Sequence, residues 1–500
     1  MIGVVNLAAV ASFATFSTLW PALLGAMMSG DVGLSARIAL VLLLGSLLSA
    51  LVMQTIRGRD KSLDRMHGLL SVVSIWIAAV ASGGFIAATV MQIPVAEAVF
   101  EATSALTTTG TTTLFERSSL PFPLLFWRVT LEWFGGLLTL VCLLQIIAPA
   151  GLGGLPQFTA RFFSQPSRRG RTDRGETPHA EETTSLRRSR LIATRYALVT
   201  LVVWLLFLPN GPPPEEAALL ALVTVGTGGF VYFDGALIDR LPSHTILIMG
   251  VGLLVGATSL MWQSGANLAP NRFVRRNVEA VAVAAIVLVL AFAVAVRLAS
   301  VSGLSALGPE ALIEGLFAAA SIIATSGLET RPGVIALLPD VLVLSLVFAG
   351  GGLFSTTGGV KLYRLLGLAR YAERELVALI YPHSVAGLRI GGRPVADETL
   401  RAIWSYFVFA IGFVLLGAFG LALGPFSFEA AFKASAALFT SAGPLYAALT
   451  PATGGIENGW PSFAELGAPF LLWSCAIMIL GRLEILVVFA ALNIRFWMGR

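Results

Sequence analysis

Four times along the chain, at intervals of roughly 100 to 120 residues, a short apolar segment of helical character runs into a Thr/Ser-rich tetrapeptide that ends in glycine. The four are Thr107-Thr108-Thr109-Gly110, Gly226-Thr227-Gly228-Gly229, Ala324-Thr325-Ser326-Gly327 and Thr440-Ser441-Ala442-Gly443. One unit used four times constrains the architecture more than any single motif. Four copies can surround one axis.

Composition fixes the solvent around that axis. Of 500 residues 56% are hydrophobic and 12% charged, against about 25% charged in soluble domains, so the apolar surface cannot be hidden from water. Crossing a hydrocarbon core takes about 20 helical residues. About ten stretches meet that length or approach it, near residues 4–28, 36–56, 67–92, 123–148, 191–209, 243–264, 278–300, 337–368, 403–424 and 467–492. The first lacks a charged amino-terminal flank and a small-residue cleavage site, and reads as a retained helix.

Basic residues gather in alternate loops: Arg57, Arg59, Lys61 and Arg65; the run from Arg161 to Arg190; Arg272, Arg275 and Arg276; and Arg364, Arg370, Arg374, Arg389, Arg393 and Arg401. About 25 of the 33 Lys and Arg residues fall on this side, which the positive-inside rule makes cytoplasmic, with both termini. The net charge of +5 follows from that topology and gives no reason to expect nucleic acid. Cys142 and Cys475 lie in apolar helices and form no metal or disulfide pattern; His67, His179, His244 and His383 are scattered at segment ends or in loops.

Each tetrapeptide lies between two spans and follows a segment too short to cross: Ala96–Leu106, Pro214–Val225, Pro309–Ile323 and Phe428–Phe439. Pro214, Glu215, Glu216, Pro309 and Glu310 suit helix amino termini facing the outer solution. The expected fold is an all-α polytopic membrane protein, with two leading helices followed by four repeats of span, pore helix, filter loop and span in pseudo-fourfold symmetry about one pore. The leading pair and its loop occupy 1–66 and the first repeat 67–150. A polar cytoplasmic linker takes 151–190, and the second, third and fourth repeats take 191–277, 278–402 and 403–500.

Irregular backbone at membrane depth is tolerated only where protein or a water-filled path satisfies its polar groups. Glycine lets carbonyls turn inward, and Thr and Ser hydroxyls add oxygens without charge. Such a ring suits a dehydrated monovalent cation, while the half-helix carboxyl ends repel anions.

The first repeat reads FEATSALTTTGTTT from Phe100 to Thr113 and then WRVTLEWFGGLLTL from Trp127 to Leu140. The third carries FAGGGLFSTTGGVKLYR from Phe348 to Arg364, and the fourth has GRLEIL from Gly481 to Leu486. In these segments, over all four repeats, the chain resembles the Trk/Ktr/HKT superfamily of potassium transporters, and its leading helices favour the bacterial TrkH branch. The resemblance implies inward potassium transport across the bacterial inner membrane through a single-chain pore. Potassium is the substrate, bound at the sixteen residues of the four tetrapeptides with Gly110, Gly229, Gly327 and Gly443 as the filter glycines. Serine at the first glycine goes with sodium transport in the superfamily, so Gly110 favours potassium.

The resemblance also implies an intramembrane gate below the filter, formed by Gly350, Gly351, Gly352, Ser355, Thr356, Thr357, Gly358 and Gly359 with Arg482. Glycines that break a span expose backbone polar groups, and a close-packing kink is the other reading of that stretch. Arg482 is expected to hydrogen-bond loop carbonyls in the closed state, or else to pair with Glu484 or another helix. Glu97, Glu101 and Lys433 lie on pore helices and would brace the filter from behind or serve as ordinary scaffold. Arg128 and Glu132, four residues apart, can pair on one helix face and receive no transport role.

No nucleophile, base or metal cluster lies in the spans and no phosphate-binding loop occurs, so the chain reads as no enzyme and as binding no cofactor of its own. The implied partners are membrane lipid, a second copy in a homodimer, and a cytosolic ring of nucleotide-binding regulators resembling TrkA or KtrA. A potassium transporter coupled to sodium or protons is the alternative, with inverted-repeat secondary transport as the competing architecture.

Overall fold

The computed structural model describes residues 2–56, 65–114, 120–149, 154, 178–258, 278–301, 308–381, 388–390, 393–451 and 453–491. Arg57, Arg59, Lys61, Arg272, Arg275, Arg276, His383 and most of the 151–190 linker lie outside them. Within the linker, a helix already begins at Pro178 and continues through the second repeat's first span, Pro178–Phe207.

Among the described residues seven helical stretches are long and apolar enough to cross a membrane, the first of them Ile2–Met28, and three shorter apolar helices accompany them, Ser243–Ala257, Asp340–Ala349 and Ala468–Arg482. The first expected span is interrupted. Ile2–Ser17 and Trp20–Met28 are separate helices, and Pro21 stands in the first turn of the second, where a missing N–H costs nothing. Val32–Ile56 completes the leading group, which packs on the first repeat's outer helix, Arg65–Ile86. Apart from a two-residue antiparallel hairpin, Arg389–Ile390 with Arg393–Pro394, the described secondary structure is helical.

All four half-helices are present, at Val95–Leu106, Pro214–Gly226, Pro309–Ile323 and Phe428–Phe439. Each lies against its own repeat's first span, Arg65–Ile86, Pro178–Phe207, Val278–Val301 or Asp397–Ala422. The second helix of each repeat reaches the next half-helix as well. Phe122–Cys142 packs on Pro214–Gly226, Ser243–Ala257 on Pro309–Ile323, Asp340–Ala349 on Phe428–Phe439, and Ala468–Arg482 returns to Val95–Leu106. A chain in which helix n touches unit n+1, and the last touches the first, closes on itself.

Lipid tails supply no hydrophobic drive between helices, so close backbone approach by small residues takes its place. Gly135 and Gly481 illustrate this on opposite sides of the sequence. A Cβ on Gly135 would stand 2.0 Å from the Leu106 carbonyl oxygen, and one on Gly481 2.0 Å from that of Phe439. Each second helix thus lies directly against the carboxyl end of its own half-helix. Side chains on the outer faces, such as Leu44, Leu48, Leu288 and Val289, remain exposed, as a lipid-facing surface requires.

Two second helices are broken. In the third repeat the helix stops at Ala349 and resumes at Leu362 after the glycine-rich stretch, where sequence reasoning expected a break. The fourth also breaks, between Ala468–Arg482 and Ile485–Ala491, with Glu484 at a left-handed φ of 58°. Sequence reasoning expected a continuous span there.

Candidate functional site

The four half-helices end in one backbone pattern. The second residue of every tetrapeptide, Thr108, Thr227, Thr325 and Ser441, has φ of 54°, 52°, 54° and 57°. In each case the next N–H returns five residues back into the helix: Thr109 to Ser104, Gly228 to Val223, Ser326 to Ser321 and Ala442 to Ala437, at 2.8, 3.2, 2.9 and 2.8 Å. This is the Schellman closure of a helix end, which glycine usually provides. Here a hydroxyl residue occupies the left-handed position four times. A β-branched residue held there is strained, and strain repeated at equivalent places marks a site.

The four loops then meet. A Cβ on Gly110 would stand 2.4 Å from the Cα of Gly229. Ser326 donates its hydroxyl to the Gly228 carbonyl at 2.9 Å, joining the third loop to the second. A Cβ on Gly327 would lie 2.6 Å from the backbone nitrogen of Leu445, and the Gly443 N–H donates to the Thr109 carbonyl at 2.8 Å. All sixteen tetrapeptide residues named from the sequence are buried. The ring is not fourfold at its rim. Gly110 and Gly327 have φ of 77° and 70°, whereas Gly443 is helical and opens a short helix, Pro444–Ala448, whose Pro444 reaches Gly229.

Beneath the ring lies the stretch from Gly350 to Lys361. Thr227 donates to the Thr356 hydroxyl at 3.0 Å, and the Gly358 N–H donates to the Thr325 hydroxyl at 2.9 Å. A Cβ on Gly358 would stand 1.9 Å from the Thr440 carbonyl oxygen. The remaining two hydroxyls of the left-handed set, on Thr108 and Ser441, are buried with no hydrogen-bond partner. The loop therefore engages the hydroxyls of the second and third quadrants and packs against the backbone of the fourth, while the Thr108 and Ser441 hydroxyls stay unpartnered. Leu353 and Phe354, the bulky residues of the stretch, are buried, and the Leu353 N–H donates to Glu279 at 2.8 Å.

Lys361 was missed in the sequence, where its place in the GGVKLYR segment gave the only signal. It is buried at φ 77°, and its ammonium donates to the Thr357 carbonyl and hydroxyl and to the Ser355 hydroxyl. Arg482 shares with it a small cavity lined also by Thr139, Ser355 and Thr357. The expected bonds from Arg482 to loop carbonyls are not made in this conformation. Its Nε donates to Thr139 at 2.9 Å, while Nη1 and Nη2 have no partner. Glu484 pairs not with Arg482 but with Arg364, at 2.5 Å, so one ion pair bridges the broken helices of repeats three and four. Arg364 also lies 3.8 Å over the Tyr406 ring.

Behind the first loop, Arg128 joins Glu101 at 3.2 Å and Glu132 at 3.1 Å, all three buried. The pair with Glu132 agrees with the four-residue spacing; the bond to Glu101 spans two helices and was not legible from it. Lys433 pairs with Asp340 and Glu429 at the half-helix edge, away from the ring, and Glu97 takes no part in these contacts. Among the described residues no cluster of His, Cys, Asp or Glu suited to a metal ion occurs. Chemically the site offers carbonyl and hydroxyl oxygens, half-helix carboxyl ends, and two buried cations below them.

Residues 277–495 match the family model TrkH, described as cation transport protein. The chain is 28% identical to the Trk system potassium uptake protein TrkH of Salmonella typhimurium, over 88% of each chain, and 29% identical to its namesake from Vibrio parahaemolyticus with the same coverage. The crystal structure of the potassium transporter TrkH from Vibrio parahaemolyticus superposes with a TM-score of 0.81 at 25% identity, covering 99% of this chain and 98% of that one. Similarity over most of the chain, a shared fold and the match over the last two repeats agree: the chain is similar to the TrkH potassium uptake proteins and has the fold of a multi-pass TrkH transporter.

Proposed function

We propose that the chain takes up potassium across the bacterial inner membrane, with the four tetrapeptides as the filter and Gly350–Gly359 as a gate beneath it. The observation that carries this reading is the fourfold recurrence of one strained helix ending at the centre of a closed ring. Dehydrated potassium needs several neutral oxygens at once, and carbonyls with hydroxyls supply them without trapping the ion as carboxylates would. The relatives that match over most of their length are named potassium uptake proteins.

Conduction requires that the loop withdraw from Thr227 and Thr325, which frees all four hydroxyls of the left-handed set together. Lys361 and Arg482 stand just below as a positive barrier while it stays. A membrane potential supplies about 2.3 kcal/mol per charge per 100 mV for inward flow, so no ATP site is needed on this chain. Regulation is assigned to a cytosolic nucleotide-binding ring, and the transporter to a homodimer.

Purified protein in liposomes with a negative interior should accumulate rubidium tracer, with potassium competing and chloride not following. Absence of such uptake in the presence of the regulator would remove the proposal.

A further inference from the structure

Three residues beyond each filter glycine stands a side chain with a hydroxyl group: Thr113, Tyr232, Thr330 and Tyr446. All four are buried. In three repeats that hydroxyl donates to a carboxylate on the half-helix of the same repeat. Thr113 donates to Glu101 at 3.1 Å, Tyr232 to Glu216 at 2.6 Å, and Thr330 to Glu314 at 3.0 Å. The fourth departs: Tyr446 donates to the Pro461 carbonyl at 3.0 Å.

We propose that these pairs are positioning braces which hold the outgoing arm of each filter loop at a fixed distance from its half-helix, and so set ion selectivity. The proposal rests on the filter reading above. A half-helix and the arm leaving its loop run side by side, and only the tetrapeptide joins them. Any change in their spacing must be absorbed by the filter backbone. A hydrogen bond to a carboxylate is stronger and shorter than one between neutral groups, which suits a fixed spacer.

Local chemistry supports a positioning role over general packing. In the first repeat Glu101 gathers the Thr112 hydroxyl and the Thr113 N–H, at 2.8 and 2.6 Å, beside the Thr113 hydroxyl. Arg128 neutralises it and donates on to the Thr111 carbonyl at 3.2 Å, one residue past the filter glycine. The guanidinium also lies 4.8 Å over the ring of Phe230, the residue after Gly229, so the first brace reaches the second loop. In the third repeat Arg331 serves Glu314 in the same way, at 2.9 and 2.6 Å, from a half-exposed position. The carboxylate comes from one of two successive helical turns: Glu101 stands nine residues before Gly110, whereas Glu216 and Glu314 stand thirteen before Gly229 and Gly327, met by a tyrosine in the second repeat and a threonine in the third. The elements differ in sequence and agree in function, which explains why no shared motif marks them.

None of these side chains touches the tetrapeptide oxygens, so losing a brace should change how ions are distinguished more than whether they pass. The test uses Thr113→Val, Tyr232→Phe and Thr330→Val, each removing one oxygen, with Thr330→Ser as the conservative control. Potassium and sodium influx are measured separately in liposomes, and melting temperature in detergent is followed in parallel. The potassium-to-sodium ratio should fall about tenfold in the three variants, the scale of one charge-assisted hydrogen bond, and Thr330→Ser should restore it. A ratio within about twofold of wild type in the variants that fold, with potassium influx intact, overturns the braces and leaves the filter reading standing. Failure of the wild-type chain to carry potassium overturns both.

Discussion

Thr227 and Thr356 share a hydroxyl-to-hydroxyl hydrogen bond of 3.0 Å between the second filter loop and the broken helix of the third repeat. Thr356 also faces the carbonyls of Val225 and Gly256, at 3.3 and 3.2 Å. One side chain therefore fastens the loop to the end of a half-helix and to a second helix together.

Replacing Thr356 by valine keeps the shape and removes those bonds. The loop should leave the ring more easily, and regulator-independent rubidium influx should rise about two- to tenfold, the range of one neutral hydrogen bond. Thr356→Ser should behave as wild type. Equal basal influx in Thr356→Val and wild type would show that this contact does not hold the gate.

Arg482 carries a buried guanidinium with two unpartnered nitrogens, a costly arrangement whose removal should not weaken the fold. Arg482→Gln should therefore melt no lower than wild type and pass more potassium. A wild-type flux in this variant would show that the charge imposes no barrier.

Glu484 is a different case, because its partner Arg364 is fully buried. Breaking such a pair leaves an uncompensated charge and costs about 3–5 kcal/mol. Glu484→Gln should lower the melting temperature clearly, and a further Arg364→Met should recover much of the loss. Additive losses in the double variant would mean that the two do not act as a pair.

Gly135 and Gly481 test the closeness of the second helices to the half-helix ends. Alanine at either position drives a methyl group to within 2.0 Å of a carbonyl oxygen. Overpacking of this kind costs about 1–3 kcal/mol, so both variants should melt earlier and lose uptake. Unchanged melting of Gly135→Ala would place the helices farther apart than described.

The repeats, the half-helices and the interrupted third-repeat helix were legible in the sequence because each rests on local signals: apolar length, proline at a helix start, glycine in a span. Two half-helices coincide with the ranges read from the sequence, and the other two differ by one residue at one end. What could not be read was pairing between distant segments. Arg364 and Glu484 are 120 positions apart, and nothing near Glu484 reveals that the helix breaks there, because the break is stabilised by a partner from another repeat. Lys361 was hidden for a related reason. Its ammonium is satisfied by oxygens of a loop whose path no periodicity describes. The four left-handed hydroxyl residues were visible as residues but not as conformation, since propensity alone would assign that backbone to glycine.

The most direct measurement of the central claim is growth of a bacterium lacking its own potassium uptake systems, on low potassium, when it expresses this chain with the proposed cytosolic regulator. Wild type should restore growth. Gly110→Ser, which places a side chain where Gly229 approaches, should abolish that rescue and raise sodium entry. No growth with wild type present in the membrane, or equal rescue by Gly110→Ser without added sodium entry, would contradict potassium passage through the ring of four loops.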